Sequence, residues 1–244
     1  MKKTTTLGLL VGLFAIGLAL HGPIPQWPGY HDFADQRAWL GLPHAADVLS
    51  NLPFLLIGLW GTRRATSLPW RAFAVAIACT AVGSSLYHWA PDDVSLVADR
   101  LPIAAACAVL ACAVLAERVD AGWARGSVLA GGLLLAGASV ALWWASELAG
   151  RSDLRAYLFV QFLPMVLVVA GLGLRLPPLR DDALPASAWW ITLALYAAAK
   201  AFELADQPVL QASGLVSGHT LKHLFAAAAA WWILRASIRS GSPR

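Results

Sequence analysis

Charge is what this chain lacks most. Asp, Glu, Lys and Arg make up 13% of its 244 residues, about half the roughly 25% of an ordinary soluble domain. That scarcity, with 59% hydrophobic residues and a mean hydropathy of +0.63, excludes a soluble nucleotide-binding enzyme, a nucleic-acid-binding module and a disordered tail. Cysteine is equally sparse. Cys79, Cys107 and Cys112 are odd in number, lack CxxC spacing and fall inside apolar runs, so they imply no disulfide framework. The chain shows no internal repeat, no low-complexity segment and no second domain.

What is present is a succession of apolar runs, each close to the roughly 20 residues that a bilayer core requires of a helix. They are Leu7–Leu20, His44–Gly61, Trp70–Trp89, Leu96–Leu115, Gly126–Leu148, Ala156–Leu174, Ala186–Ala205 and Gly218–Leu234. The first follows Lys2-Lys3 and reads as a retained anchor or, alternatively, a signal peptide within residues 1–21. Residues 22–238 then form a single membrane domain, and 239–244 a cytoplasmic tail.

The net charge of +4 does not call for a nucleic-acid partner, because the basic residues lie mostly between the runs. With the N-terminus cytoplasmic, one side carries Lys2, Lys3, Arg63, Arg64, Arg71, Arg118, Arg125, Arg175, Arg180, Arg235, Arg239 and Arg244, and the other only Arg37, Arg151 and Arg155. The positive-inside rule then places both termini in the cytoplasm. Trp70, Trp89, Trp123, Trp143, Trp144, Trp189 and Trp190 stand near run ends, as an interfacial aromatic belt does. Abundant Ala, Leu, Gly, Trp and Arg with little Lys read as bacterial, which suggests an inner-membrane protein.

Ionisable groups inside such runs are costly and mark function by default. Three clusters qualify. The third run ends Gly83-Ser84-Ser85-Leu86-Tyr87-His88, the fourth opens Leu96-Val97-Ala98-Asp99-Arg100-Leu101-Pro102, and the last begins Ser217-Gly218-His219-Thr220-Leu221-Lys222-His223. His219 and His223 are one helical turn apart on one face, as are Ser84 and His88. The alternating direction of the runs brings all three clusters to the non-cytoplasmic end. Three imidazoles with an open fourth position are what catalytic zinc requires. Each motif taken alone also has a structural reading, in packing for Ser84 and in helix-end electrostatics for Asp99.

These residues, together with Asp47-Val48-Leu49-Ser50-Asn51-Leu52-Pro53 at the start of the second run, resemble the alkaline ceramidases. Those enzymes belong to a wider group of integral-membrane hydrolases that includes the adiponectin receptors and GPI-remodelling lipases. The likeness runs from about Gly29 to Trp232. It implies an all-α membrane protein with a seven-helix core, so the first run is an addition. It implies zinc held by His88, His219 and His223, Ser84 steadying the oxyanion, and Asp99 handling the proton of the attacking water. It also implies an N-terminal calcium site, for which the chain offers Asp32, Asp35 and Asp47 beside His31, with His44 where an acidic ligand would align. Lys200, Glu203 and Asp206 at the end of the seventh run read either as an ion-pair network or as groups orienting the zinc ligands.

The implied activity is zinc-dependent hydrolysis of ceramide-like N-acyl lipids to a sphingoid base and a fatty acid, with lipid and bilayer as the partners. Nothing implies a protein partner. Two alternatives remain open at this stage: an esterase or phospholipase on the same scaffold, and a receptor or transporter that performs no chemistry. Neither an inverted repeat nor a matched pair of broken helices points to a transporter.

Overall fold

The computed structural model describes residues 2–240; Met1 and, from the tail 239–244, residues 241–244 lie outside the described residues. The described chain is all-helical. Its helices are α1 (Lys2–His21), α2 (Ala45–Leu49), α3 (Leu52–Arg64), α4 (Leu68–Trp89), α5 (Asp93–Arg118), α6 (Gly126–Leu148), α7 (Arg155–Gly173), α8 (Ala186–Leu204), α9 (Asp206–Ser213) and α10 (Gly218–Ser240), with a 3-10 turn at Ala121–Ala124.

Among the described residues, six segments are long and apolar enough to cross a membrane: α1, the α2–α3 stretch Ala45–Arg64, α4, α5, α6 and α7. The last two runs of the sequence reading, now α8 and α10, fall outside that set. Helix α8 carries Lys200 and Glu203, and α10 carries His219, Lys222, His223, Arg235 and Arg239. Outward-facing Leu56, Val82, Leu134, Leu135 and Leu142 are exposed, as a lipid-facing surface requires. Helix α1 stands at the edge. It packs mainly on α7, where Phe14 stacks on Phe159 with ring centroids 5.5 Å apart.

Local chemistry explains where the helices begin. Pro53 and Pro69 lie in the first turns of α3 and α4, where a missing N–H costs nothing. Asp92 caps α5: its carboxylate accepts from the Ser95 amide at 2.6 Å while the Ser95 hydroxyl accepts from the Asp92 amide. This reciprocal cap satisfies two otherwise orphaned donors and starts α5 directly after α4 ends.

Small residues set the closest crossings. A Cβ at Gly83 would lie 2.0 Å from the Ala98 carbonyl oxygen, and one at Gly218 would lie 2.2 Å from that of Phe202. Helices α4 and α5 thus meet backbone to backbone beside Ser84 and Asp99, and α10 starts tucked against the end of α8. Close approach through small residues is the usual packing device in membranes.

The tryptophans divide. Trp89, Trp123 and Trp190 are exposed near helix ends, but Trp70, Trp143 and Trp189 are buried in the protein. These three pack against other helices and do not belong to a belt. Of the cysteines, Cys107 and Cys112 are buried, while Cys79 lies on an exposed helix face.

Candidate metal centre and adjoining chamber

His88 closes α4, and His219 and His223 occupy the first two turns of α10. All three are buried, and one nitrogen from each lies within 4.8 Å of the other two. Their rings meet edge to face, with centroids 4.7, 4.9 and 4.8 Å apart. Among the described residues, this is the cluster of side chains able to hold a metal ion.

Two details fit it for that task. Nδ1 of His88 is buried without a hydrogen-bond partner. Ser50 fixes His223: its hydroxyl donates to the Asp47 carbonyl at 2.8 Å, so its oxygen accepts from His223 Nδ1 at 2.7 Å. That bond leaves the Nε2 lone pair of His223 free. Orientation of an imidazole by a bond to its other nitrogen is the usual support of a metal ligand. Replacing Ser50 with alanine should therefore weaken metal retention by about 10–100-fold, read by competition with a chelator. Unchanged retention would make Ser50 a packing residue only.

Sequence reasoning gave no role to Ser50 or Lys222 and passed over Phe33. Lys222 lies 3.3 Å from His219 Nε2 and pairs with Glu203 at 2.9 Å, and Lys200 pairs with the same carboxylate. Lys200 and Glu203 therefore form an ion-pair network that reaches the histidines through Lys222. Asp206 has another duty: its two oxygens accept from the amides of His219 and Ala34 at 2.7 and 2.9 Å. It anchors the start of α10 and the loop after α1 by their backbones, touching no imidazole.

That loop covers the centre. Phe33 lies 4.5 Å from His88 and 4.7 Å from His219 by ring centroid. The loop is held by His31, whose ring contacts the Tyr87 hydroxyl at 2.9 Å and Asp93 at 3.1 Å, and by the Ala34–Asp206 bond. Water is thereby kept from this side of the histidines.

Asp32, Asp35 and Asp47 do not assemble into a metal-capable group among the described residues. Both oxygens of Asp35 accept from the Arg37 guanidinium, at 2.8 and 2.6 Å, which holds its carboxyl below the usual range. Arg37 also donates to the carbonyls of Gly214 and Leu215, so a side-chain cation occupies the place among these oxygens. Asp47 is fully buried and accepts from the hydroxyls of Thr220 and Ser217 at 2.7 and 3.3 Å. It ties α2 to the start of α10. His44 contacts the Asp35 carbonyl at 3.2 Å.

A cavity of about 260 Å³ opens beside the histidines, between α4, α5, α7, α8 and α10. Its polar end holds Ser84, Asp99, Arg100, Lys200, Glu203, Lys222 and His223, and its far end Phe73, Trp189 and Ile233. The Ser84 hydroxyl lies beside the Asp99 carboxylate, and Asp99 Oδ1 is buried without a hydrogen-bond partner. From His223 to Ile233 the chamber follows α10 for roughly 15 Å at 1.5 Å per residue, half of a hydrocarbon core of about 30 Å. Its reach matches the acyl region of one leaflet.

No model of a known protein family matches the chain, and no curated protein matches it.

Proposed function

We propose that the chain is a zinc-dependent intramembrane lipid amidase that cleaves ceramide-like N-acyl lipids. One observation carries the reading: three buried, mutually facing histidines, of which His223 lines the polar end of a chamber whose far end is apolar and reaches about one leaflet deep. A lipid whose acyl chain fills the chamber presents its polar linkage to those histidines. The likeness to alkaline ceramidases in Ser84, His88, Asp99, His219 and His223 supports the same reading. On it, α8 and α10 also cross the membrane, giving a seven-helix core with α1 outside, and the centre faces the periplasm of a bacterial inner membrane.

His88, His219 and His223 would hold zinc, which supplies a water of lowered pKa and polarises the carbonyl. The work of the other groups follows from their positions. Asp99 has an unpartnered oxygen in the chamber and accepts the proton of the attacking water, then returns it to the leaving amine. Ser84, one turn before His88, donates its hydrogen bond to the oxygen that gains charge. Phe33 excludes bulk water from the side of the loop. Calcium is not part of the proposal: Arg37 already takes both oxygens of Asp35, and the Ser217 and Thr220 hydroxyls take one oxygen of Asp47.

The test is product analysis. Purified protein in neutral detergent is given labelled ceramide, dihydroceramide and phospholipid side by side. Release of fatty acid and sphingoid base from the first two is expected. Cleavage of phospholipid alone would make it an esterase. No hydrolysis of any of them by protein with stoichiometric zinc would sink the hydrolase reading.

A further inference from the structure

Arg100 sits in the second turn of α5, next to Asp99, and is 2% exposed. A buried guanidinium in a membrane helix is expensive and is normally paired. Among the described residues Arg100 has no carboxylate at ion-pair distance. Its carbon instead lies 3.9 Å from the ring centroid of Trp143, 4.9 Å from that of Tyr157 and 5.3 Å from that of Tyr30. Three ring faces offset part of the cost of burying the cation. They supply no hydrogen-bond acceptor in the plane of the fork.

Among the described residues, the acceptor that meets Arg100 is Gln26 Oε1, which takes a bond from Nη2 at 2.5 Å. Nε and Nη1 are buried without a partner, and so is Gln26 Nε2. Because Gln26 turns its oxygen to the guanidinium, its Nε2 is a donor as well. The unpartnered groups are thus all donors, and buried donors left unmatched are costly. A single group with several lone pairs and a negative charge would satisfy them together.

Arg100 also lines the chamber beside Asp99 and His223. Around that polar end, three cations (Arg100, Lys200 and Lys222) face two carboxylates (Asp99 and Glu203). The chamber carries a positive excess, and Arg100 is its cation without a carboxylate.

We propose that Arg100 and Gln26 form a receptor for an anionic group, a carboxylate or a phosphate, carried by the acyl lipid that enters the chamber. The apolar wall takes the chain, the guanidinium fork takes two oxygens of the headgroup, and the linkage between them lies at the histidines. Within the ceramide-like N-acyl lipids of the proposed amidase this names the members that carry an anionic group as the preferred ones, and it depends on that reading only for the word substrate.

Binding separates the two claims. Isothermal titration in a neutral maltoside detergent uses protein carrying Asp99→Asn, which suppresses turnover. The probes are N-dodecanoylglycine, N-dodecanoylethanolamine phosphate and the neutral N-dodecanoylethanolamine. At least one anion should bind about tenfold to hundredfold more tightly than the neutral lipid, as charge-assisted hydrogen bonds in a buried site allow. Whichever anion gains more identifies the group as carboxylate or phosphate. Adding Arg100→Gln should erase the difference by weakening the anion and leaving the neutral lipid unchanged. Arg100→Lys, which keeps the charge but not the fork, should keep a smaller preference and guards against a misfolded glutamine variant. Equal binding of anionic and neutral lipids, or a preference that survives Arg100→Gln, overturns the proposal. A clear preference in a protein that hydrolyses nothing would keep the receptor and discard the amidase.

Discussion

Replacing His219 and His223 together with alanine should yield a folded protein without stoichiometric zinc and without detectable turnover. The two imidazoles are two-thirds of the protein's share of the site, and both come from the first turns of α10. His88 alone would remain, and one neutral imidazole does not hold zinc against the buffer. Helix α10 should survive, because its start is pinned elsewhere: Asp206 accepts from the His219 amide, and Asp47 accepts from the Thr220 hydroxyl. Neither bond uses an imidazole. Truncating two buried side chains against Phe33 and Phe54 still costs stability, so thermal unfolding has to be followed alongside elemental analysis. A ligand that binds only the native state stabilises it by mass action. Chelation should therefore lower the melting temperature of the unaltered protein and leave the double variant where it was. Stoichiometric zinc in the double variant would end the assignment of these ligands.

The parts of this arrangement legible in sequence are those with a local signature. Apolar runs of bilayer length gave the helices because a membrane leaves the backbone few other choices. Alternating direction put His88, Asp99 and His219 at one end, and the structure places those residues around one centre and its chamber. The remainder depends on partners far apart in the chain. Ser50 meets His223 across 173 positions, and nothing in Asp47-Val48-Leu49-Ser50-Asn51 distinguishes the orienting hydroxyl from a helix-start serine. Phe33 comes from a loop without periodicity. The acidic residues of that loop suggested calcium because their type is visible and their engagement is not; Arg37, two positions after Asp35, was the available warning. Trp143 read as an interfacial anchor because it stands near the end of its run, whereas the face it presents to Arg100 exists only once α5 and α6 pack together.

Asp99→Asn is the substitution that separates metal binding from chemistry. The amide keeps the size and planarity of the carboxyl group, so the contact with Ser84 and the close α4–α5 crossing at Gly83 should persist. It cannot accept the proton of the attacking water. If Asp99 is the general base, turnover should fall by about 10²–10⁴ while zinc remains at one per chain, because three histidines already fill the protein's part of a catalytic site. The orphaned Oδ1 of Asp99 is what makes this assignment specific. A carboxylate serving only the helix end would spend its oxygens on the first amides of α5, and that position belongs to Asp92 through Ser95. Asp99 lies beyond the first turn, buried, with one oxygen facing no protein donor. Zinc and turnover must be measured on the same preparation. Loss of zinc would make Asp99 a ligand and move the proton to another group, with Glu203 the other carboxylate that lines the chamber. Full activity with zinc retained would leave the water without its base, and the hydrolytic mechanism would fall with it.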